Sequence, residues 1–385
     1  MKHCVHFPRC GGCSTLDQPY ETQVAVKERH VTELFSALCP AVLPIEKSPV
    51  IYYYRHKIQL PFGFEGTARH GQPILGCYAK DSHAVVNQKM CHVQDRDCSK
   101  IAWVVRDWVK KTGLPTYNER TGKGFFRHVL LRRAAGSGEI LIGLVTNGKL
   151  REGSRSLARI LLGMIEKIKL VNSTVVGIVQ NNNTRDTNVV LGSEEVSWWG
   201  RGYIKEKLGD LRFKIGLSTF FQVNPYQTPN LYNAVLKQIP QGAHVLDCYC
   251  GVGTIALWVA HRCSRVTGIE ENGESVKAAR VAAKLNEITN ATFVHGGVHS
   301  ALSKFPAEGY SCMIVDPPRK GIGEEMARSV MDSGVERIVY VSCNPQSLKS
   351  DAETLSGTFR MVSVQPFDMF PHTEHIECVA VFERH

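Results

Sequence analysis

At 385 residues the chain is too long for one ordinary core, so two or three domains are expected, and at this size it needs no disulfides to stay folded. No run of 18 apolar residues occurs, and the start, Met1-Lys2-His3-Cys4-Val5-His6, lacks an apolar signal core; neither a transmembrane helix nor secretion is expected, and the cytoplasm is. The net charge of +10 is uneven: residues 1–216 hold 32 Lys and Arg against 19 Asp and Glu, and residues 217–385 hold 14 against 17, which suits either a polyanion such as nucleic acid or a merely basic soluble domain.

Thirteen cysteines without a secretion signal imply reduced thiols, metal ligation or catalysis. Three of them open the chain as Cys4-x5-Cys10-Gly11-Gly12-Cys13. With one remote cysteine such a set can hold a four-iron cluster that locks the N-terminus onto the domain behind it. A zinc site assisted by His3 or His6 is the rival. Helical patterns at 20–39, 100–112 and 151–168 interrupt β-rich runs at 51–62, 125–132, 139–146 and 174–180, which predicts an α+β domain. No internal repeat or low-complexity tract is found.

The chain divides near 205–217, giving a basic part over 1–216 and a second over 217–385. In the latter, strands are predicted at 243–247, 266–270, 291–294, 311–316, 337–342, 359–364 and 376–382. Helices are predicted at 254–263, 273–286, 298–304, 323–333 and 345–355. The fold class is thus α/β, a doubly wound and mainly parallel sheet with ligands beyond the carboxyl ends of its strands. No helix separates the last two strands, so they should pair antiparallel.

The first strand ends in Asp247-Cys248-Tyr249-Cys250-Gly251-Val252-Gly253-Thr254, a glycine turn that lets backbone N–H groups approach a cofactor. Glu270 ends the next strand, 19 residues after Gly251, where a carboxylate can accept both ribose hydroxyls. Ala256 replaces the third glycine of the dinucleotide pattern, and the carboxylate of Asp247 would repel a pyrophosphate. S-adenosylmethionine is the cofactor expected here. The fourth strand ends in Asp316-Pro317-Pro318-Arg319-Lys320-Gly321, whose prolines stiffen the loop. The fifth ends in Ser342-Cys343-Asn344-Pro345, which sets Cys343 near a helix start, where a lowered thiol pKa is expected. Cys343 is the candidate nucleophile, with a buried structural cysteine as the alternative. Glu377, at the start of the last strand, is the candidate base.

Together with Phe220-Phe221-Gln222-Val223-Asn224 and His375-Ile376-Glu377, these motifs make nearly the whole chain resemble the RNA 5-methyluridine methyltransferase family. The resemblance implies that Cys343 adds to C6 of uracil, that C5 then takes the methyl group, and that Glu377 removes the C5 proton. It implies contacts to S-adenosylmethionine from Gln222, Tyr249, Gly251, Glu270 and Asp316. Cys91 matches the fourth ligand of the iron–sulfur members, giving Cys4, Cys10, Cys13 and Cys91 for a [4Fe–4S] cluster, with Cys98 in reserve. His56 stands where the family often has Asn, between Arg55 and Lys57. The cysteine set is similar to that of members acting on ribosomal RNA, of the 23S type without an N-terminal β-barrel domain. The basic region would then grip RNA, with Arg127 and Arg132 as candidate phosphate contacts. No obligate protein partner is evident, and no membrane. Alternatives are a transfer-RNA enzyme, a cytosine-C5 enzyme, an adenine amino-methyltransferase (Arg319 stands where that would need an aromatic) and a non-catalytic RNA-binding protein.

Overall fold

The structure is a computed structural model and describes residues 2–67, 70–150, 152–302 and 309–385. Two expected helix ends, Arg151 and Lys304, lie outside the described residues. The chain forms two compact units. One comprises residues 2–17, 51–207 and 214–218, and the other residues 18–50, 208–213 and 219–385. A division at 216/217 therefore misplaces residues 18–50. The reason is the first helix, α1 (Tyr20–Phe35), whose Val31 and Phe35 are fully buried in a core shared with Leu246, Met313 and Ile338 of the later sheet.

In the first unit, β1 (Lys57–Glu65), β2 (Gln72–Leu75), α2 (Arg96–Thr112), β3 (Phe126–Arg133), β4 (Glu139–Thr146), α3 (Ser154–Ile165), β5 (Thr174–Asn182) and β6 (Glu194–Gly200) give a sheet ordered β2-β1-β3-β4-β5-β6. Only the β4–β5 pair is parallel, because α3 supplies the crossover between them. The apolar stripe of α2, including Ile101, Val105 and Trp108, packs with Ile58, Val129 and Ile142 of the sheet. Asp95 starts α2 by accepting from the N–H groups of Asp97 and Cys98, and Gly113 ends it in the left-handed conformation.

Strand β3 is central, and this overturns two expected RNA contacts. Arg127 and Arg132 are only 6 % and 3 % exposed. Arg127 donates to the carbonyls of Asn183 and Arg185, both at 2.8 Å, and lies over the Tyr117 ring. Arg132 donates to the Leu217 carbonyl at 3.2 Å. Both guanidinium groups satisfy backbone acceptors inside the fold. Exposed cations of this unit include Lys110, Lys111, Arg120, Lys123, Arg155 and Arg159.

A hairpin, β7 (Tyr203–Leu208) and β8 (Leu211–Gly216), follows. The second unit then runs α4 (Thr228–Gln238), β9 (His244–Cys248), α5 (Thr254–Val259), β10 (Arg265–Glu270), α6 (Gly273–Leu285), β11 (Ala291–His295), α7 (Val298–Leu302), β12 (Cys312–Val315), α8 (Gly323–Asp332), β13 (Arg337–Ser342), α9 (Pro345–Leu355), β14 (Phe359–Phe367) and β15 (Glu377–Arg384). Its sheet is ordered β11-β10-β9-β12-β13-β15-β14. The first five strands in that order are parallel. As expected, β14 and β15 pair antiparallel, and β15 inserts beside β13. The order reverses at β9, so the ends of β9 and β12 open the crevice where such sheets bind ligands. Among the described residues no helix is long and apolar enough to cross a membrane.

Candidate active site and thiol group

Register brings the two candidate catalytic residues together. Ser342, the last residue of β13, pairs with Cys378 across the antiparallel β13–β15 ladder, so Cys343 and Glu377 each adjoin that pair at the same end of the sheet, and the charge of Glu377 acts on the Cys343 thiol. The loop around Cys343 is fixed locally. Asn344 accepts from the Gln346 N–H to start α9, with Pro345 in its first turn, and its side-chain amide donates to the Arg319 carbonyl at 3.1 Å. The Ser342 hydroxyl donates to the Asn344 carbonyl at 3.0 Å.

Cys343 is half-buried, and the expected lowering of its thiol pKa does not occur. Burial, then the charges of Glu377 and Asp316, push it up to about 11, while Arg319 opposes them. Cys343 precedes the cap of α9, and two carboxylates outweigh the weak potential of a helix end. Glu377 is 2 % exposed, and burial first, then Asp316, holds its carboxyl well above the usual range. Burial alone raises Asp316 to about 7. The charges of Asp316, Asp247 and Glu377 all reach the buried phenol of Tyr232, whose hydroxyl lies 2.9 Å from Thr254. Three carboxylates and one thiol thus share a desolvated region with one nearby guanidinium. Arg319 donates to His375 at 2.9 Å.

The glycine turn and the β10 end form a second group. Tyr249, Gly251 and Gly253 all have positive φ, at 63°, 55° and 77°. Glu270 closes the turn by accepting from the Gly251 N–H at 3.0 Å and from the Asn272 N–H at 2.8 Å. Its carboxylate is therefore oriented before any ligand arrives. Tyr249 is half-buried, and its phenol is pushed up to about 12, chiefly by burial. Asp247 is 1 % exposed, and burial, then Asp316, raises it well above the carboxylate range, with the Ala256 N–H opposing. Gln222, in the segment that follows β8 along the chain, is buried. Sequence reasoning passed over Asp351 on α9, which accepts from the Tyr340 hydroxyl at 2.6 Å and the Ile322 N–H at 3.0 Å. Nothing in its surroundings in the sequence marks it.

In the first unit the N-terminal cysteines gather. The charges of Cys91, Cys10 and Cys4 act on Cys13, and those of Cys10 and Cys4 act on Cys91. Among the described residues, no three His, Cys, Asp or Glu side chains form a group that could hold a metal ion. Cys98, the reserve ligand, is fully buried and hydrogen-bonds with Asp95. A fifth thiol, unforeseen from the sequence, is Cys77, within hydrogen-bond reach of Cys10.

Residues 136–385 match the model of the tRNA (uracil-5-)-methyltransferase family. The chain is 41 % identical over 385 residues to an RNA methyltransferase of Leptospira interrogans, covering 99 % of this chain and 98 % of that protein. It is 35 % identical to an RNA methyltransferase of Clostridium acetobutylicum, covering 99 % of this chain and 83 % of the relative. Among solved structures it is similar to the Pyrococcus abyssi tRNA (uracil-54, C5)-methyltransferase in complex with S-adenosyl-L-homocysteine. The TM-score is 0.76 and the identity 25 %, over 97 % of this chain and 86 % of that one.

Proposed function

The chain belongs to the tRNA (uracil-5-)-methyltransferase family of S-adenosylmethionine-dependent enzymes, and on that premise we propose that it methylates C5 of a uridine in 23S rRNA through a covalent cysteine adduct. Bound S-adenosylmethionine supplies an electrophilic methyl group. Tyr249, Gly251, Glu270, Asp316 and Gln222 are the residues proposed to hold it, and the preset Glu270 carboxylate suits two ribose hydroxyls. The Cys343 sulfur adds to C6 of the flipped base as its thiol proton passes to water, which places electron density on C5. After methyl transfer Glu377 takes the proton from C5, the C5–C6 double bond re-forms, and the Cys343–C6 bond breaks.

The observation that supports this reading is that Cys343 and Glu377 adjoin the same Ser342–Cys378 pair and act on each other electrostatically. A thiol and a carboxyl held at one strand end can act on adjacent carbons of one ring. Burial raises the proton affinity of Glu377, which favours its taking the C5 proton, while the raised Cys343 thiol must lose its own proton as the sulfur adds.

We assign Cys4, Cys10, Cys13 and Cys91 to a [4Fe–4S] cluster. Its support is the resemblance and the mutual influence of the four thiols. A four-iron cluster binds one thiolate at each iron, so its ligands surround a volume and need not converge on a point. The cysteine set favours ribosomal RNA as the substrate. The transfer-RNA reading is kept because the Pyrococcus abyssi enzyme acts on tRNA. Purified protein, given 23S rRNA and tRNA lacking the modification, should form 5-methyluridine in the former and none with Cys343→Ala. Methylation of tRNA alone would reverse the substrate assignment, and an active Cys343→Ala would remove the adduct.

A further inference from the structure

Residues 9–11 do not hang free. Cys10 forms an antiparallel bridge with Ala79, the Gly11 N–H donates to the Tyr78 carbonyl at 2.9 Å, and the Lys80 N–H donates to the Arg9 carbonyl at 3.0 Å. This pairing carries Cys77, just before the paired residues, to the side of Cys10. A Cβ added to Gly12 would meet the Cys77 sulfur at 3.3 Å and the Cys10 sulfur at 3.4 Å, so the two sulfurs flank the same small space. One side chain touches both: the Gln88 amide donates to Cys10 at 3.7 Å, and the Cys77 thiol donates to the Gln88 carbonyl oxygen at 3.6 Å. Gln94 donates to Cys77 at 3.7 Å. Cys77 also feels Cys91 across the group.

Resting on the cluster assignment above, we propose that Cys77 is a fifth thiol of the iron site, a spare ligand that takes over from Cys10 at the same iron. Four irons need four thiolates, and five sulfurs are gathered here. Cys10 and Cys77 occupy neighbouring positions, their sulfurs flanking the space beside Gly12 in the Cys10–Cys13 turn. Gln88 and Gln94 present amide donors to the two sulfurs, the kind of contact that supports a ligand sulfur in either arrangement.

The test is anaerobic reconstitution of the full chain with ferrous iron and sulfide, read as iron and acid-labile sulfide per chain and as thiolate-to-iron absorption. Wild type, Cys77→Ala and Cys10→Ala should each retain the cluster. Cys13→Ala, Cys91→Ala and the double variant Cys10→Ala/Cys77→Ala should lose most of the bound iron. Circular dichroism checks that each variant is folded, and Cys10→Ser provides a second substitution at the same place. If folded Cys10→Ala loses iron as completely as Cys91→Ala, while wild type keeps it, the spare-ligand role is overturned and the cluster stands. A wild-type protein that takes up no iron overturns the cluster assignment, and this inference with it.

Discussion

The thiol of Cys343 is held in its protonated form by burial and by the carboxylates proposed to work with it. Burial and the Glu377 and Asp316 carboxylates raise it, so a ready-made thiolate is absent at neutral pH. Alkylation of Cys343 by iodoacetamide should therefore be slow at pH 7 and rise with a midpoint above pH 9. Glu377→Gln should bring that midpoint down by about one pH unit, because a neighbouring negative charge is removed; an unchanged midpoint would separate the two groups. The same variant should trap the reaction. Without a base at C5, a denaturation-resistant protein–RNA complex should accumulate while turnover falls by about 100-fold or more.

Asp316 carries a stability consequence. Its folded pKa of about 7 lies above the unfolded value, so the stability it contributes is complete below pH 4 and is lost as pH rises through 7. Asp316→Asn should raise the melting temperature by several degrees at pH 8, with the gain shrinking as pH falls below 7, and should depress methylation at every pH. Equal melting curves at pH 8 would show that the carboxylate is not desolvated. Such a trade of stability for function is typical of active-site charges.

At the scale of elements, the site is a junction of three loops and α9 holds two of them. Its N-cap, Asn344, grips the Arg319 carbonyl. About two turns along the same helix, Asp351 accepts from Tyr340 on β13 and from the Ile322 N–H at the end of the Asp-Pro-Pro-Arg loop. Gly321 is in the left-handed region at φ 81°, and a Cβ there would come within 2.3 Å of the Asp351 carboxylate. Asp351→Ala should cost about 2–3 kcal/mol in stability by leaving buried donors unpaired. It should also lower kcat more than it weakens S-adenosylmethionine binding, since the glycine turn is untouched. Chemical denaturation and ligand titration check the two halves. The same logic explains why α9 was legible: Pro345 and the preceding Asn344 are a helix start in any sequence. Asp351 was not legible, because a carboxylate two turns into an amphipathic helix looks solvent-facing until a strand and a loop close over it.

For the whole molecule, the excess of positive charge over residues 1–216 leads to an expected salt dependence. RNA affinity should fall on the order of tenfold or more between 50 and 200 mM salt, as counterion release requires for several phosphate contacts. Filter binding at graded salt measures it, and a flat profile would argue against a phosphate-led grip. The exposed cations of the first unit are the ones to neutralise, since Arg127 and Arg132 are committed to internal carbonyls.

Local order was written in the chain. The alternation of strands and helices after residue 217, the glycine turn after Asp247, the prolines after Asp316 and the antiparallel last pair all follow from periodicity and from backbone rules for glycine and proline. These depend on neighbours within a few residues, which a sequence displays directly. What tertiary structure decided was every relation across long separations. Residues 18–50 joined the later sheet because the apolar face of α1 finds its core there. Cys77 came beside Cys10 through a backbone pairing between residues 9–11 and 78–80. The acidity of Cys343 was set by burial and then by Glu377 and Asp316, each more than 25 residues away along the chain. Burial and Coulomb interaction act through space, so their sign depends on which groups folding brings near and how much water it removes.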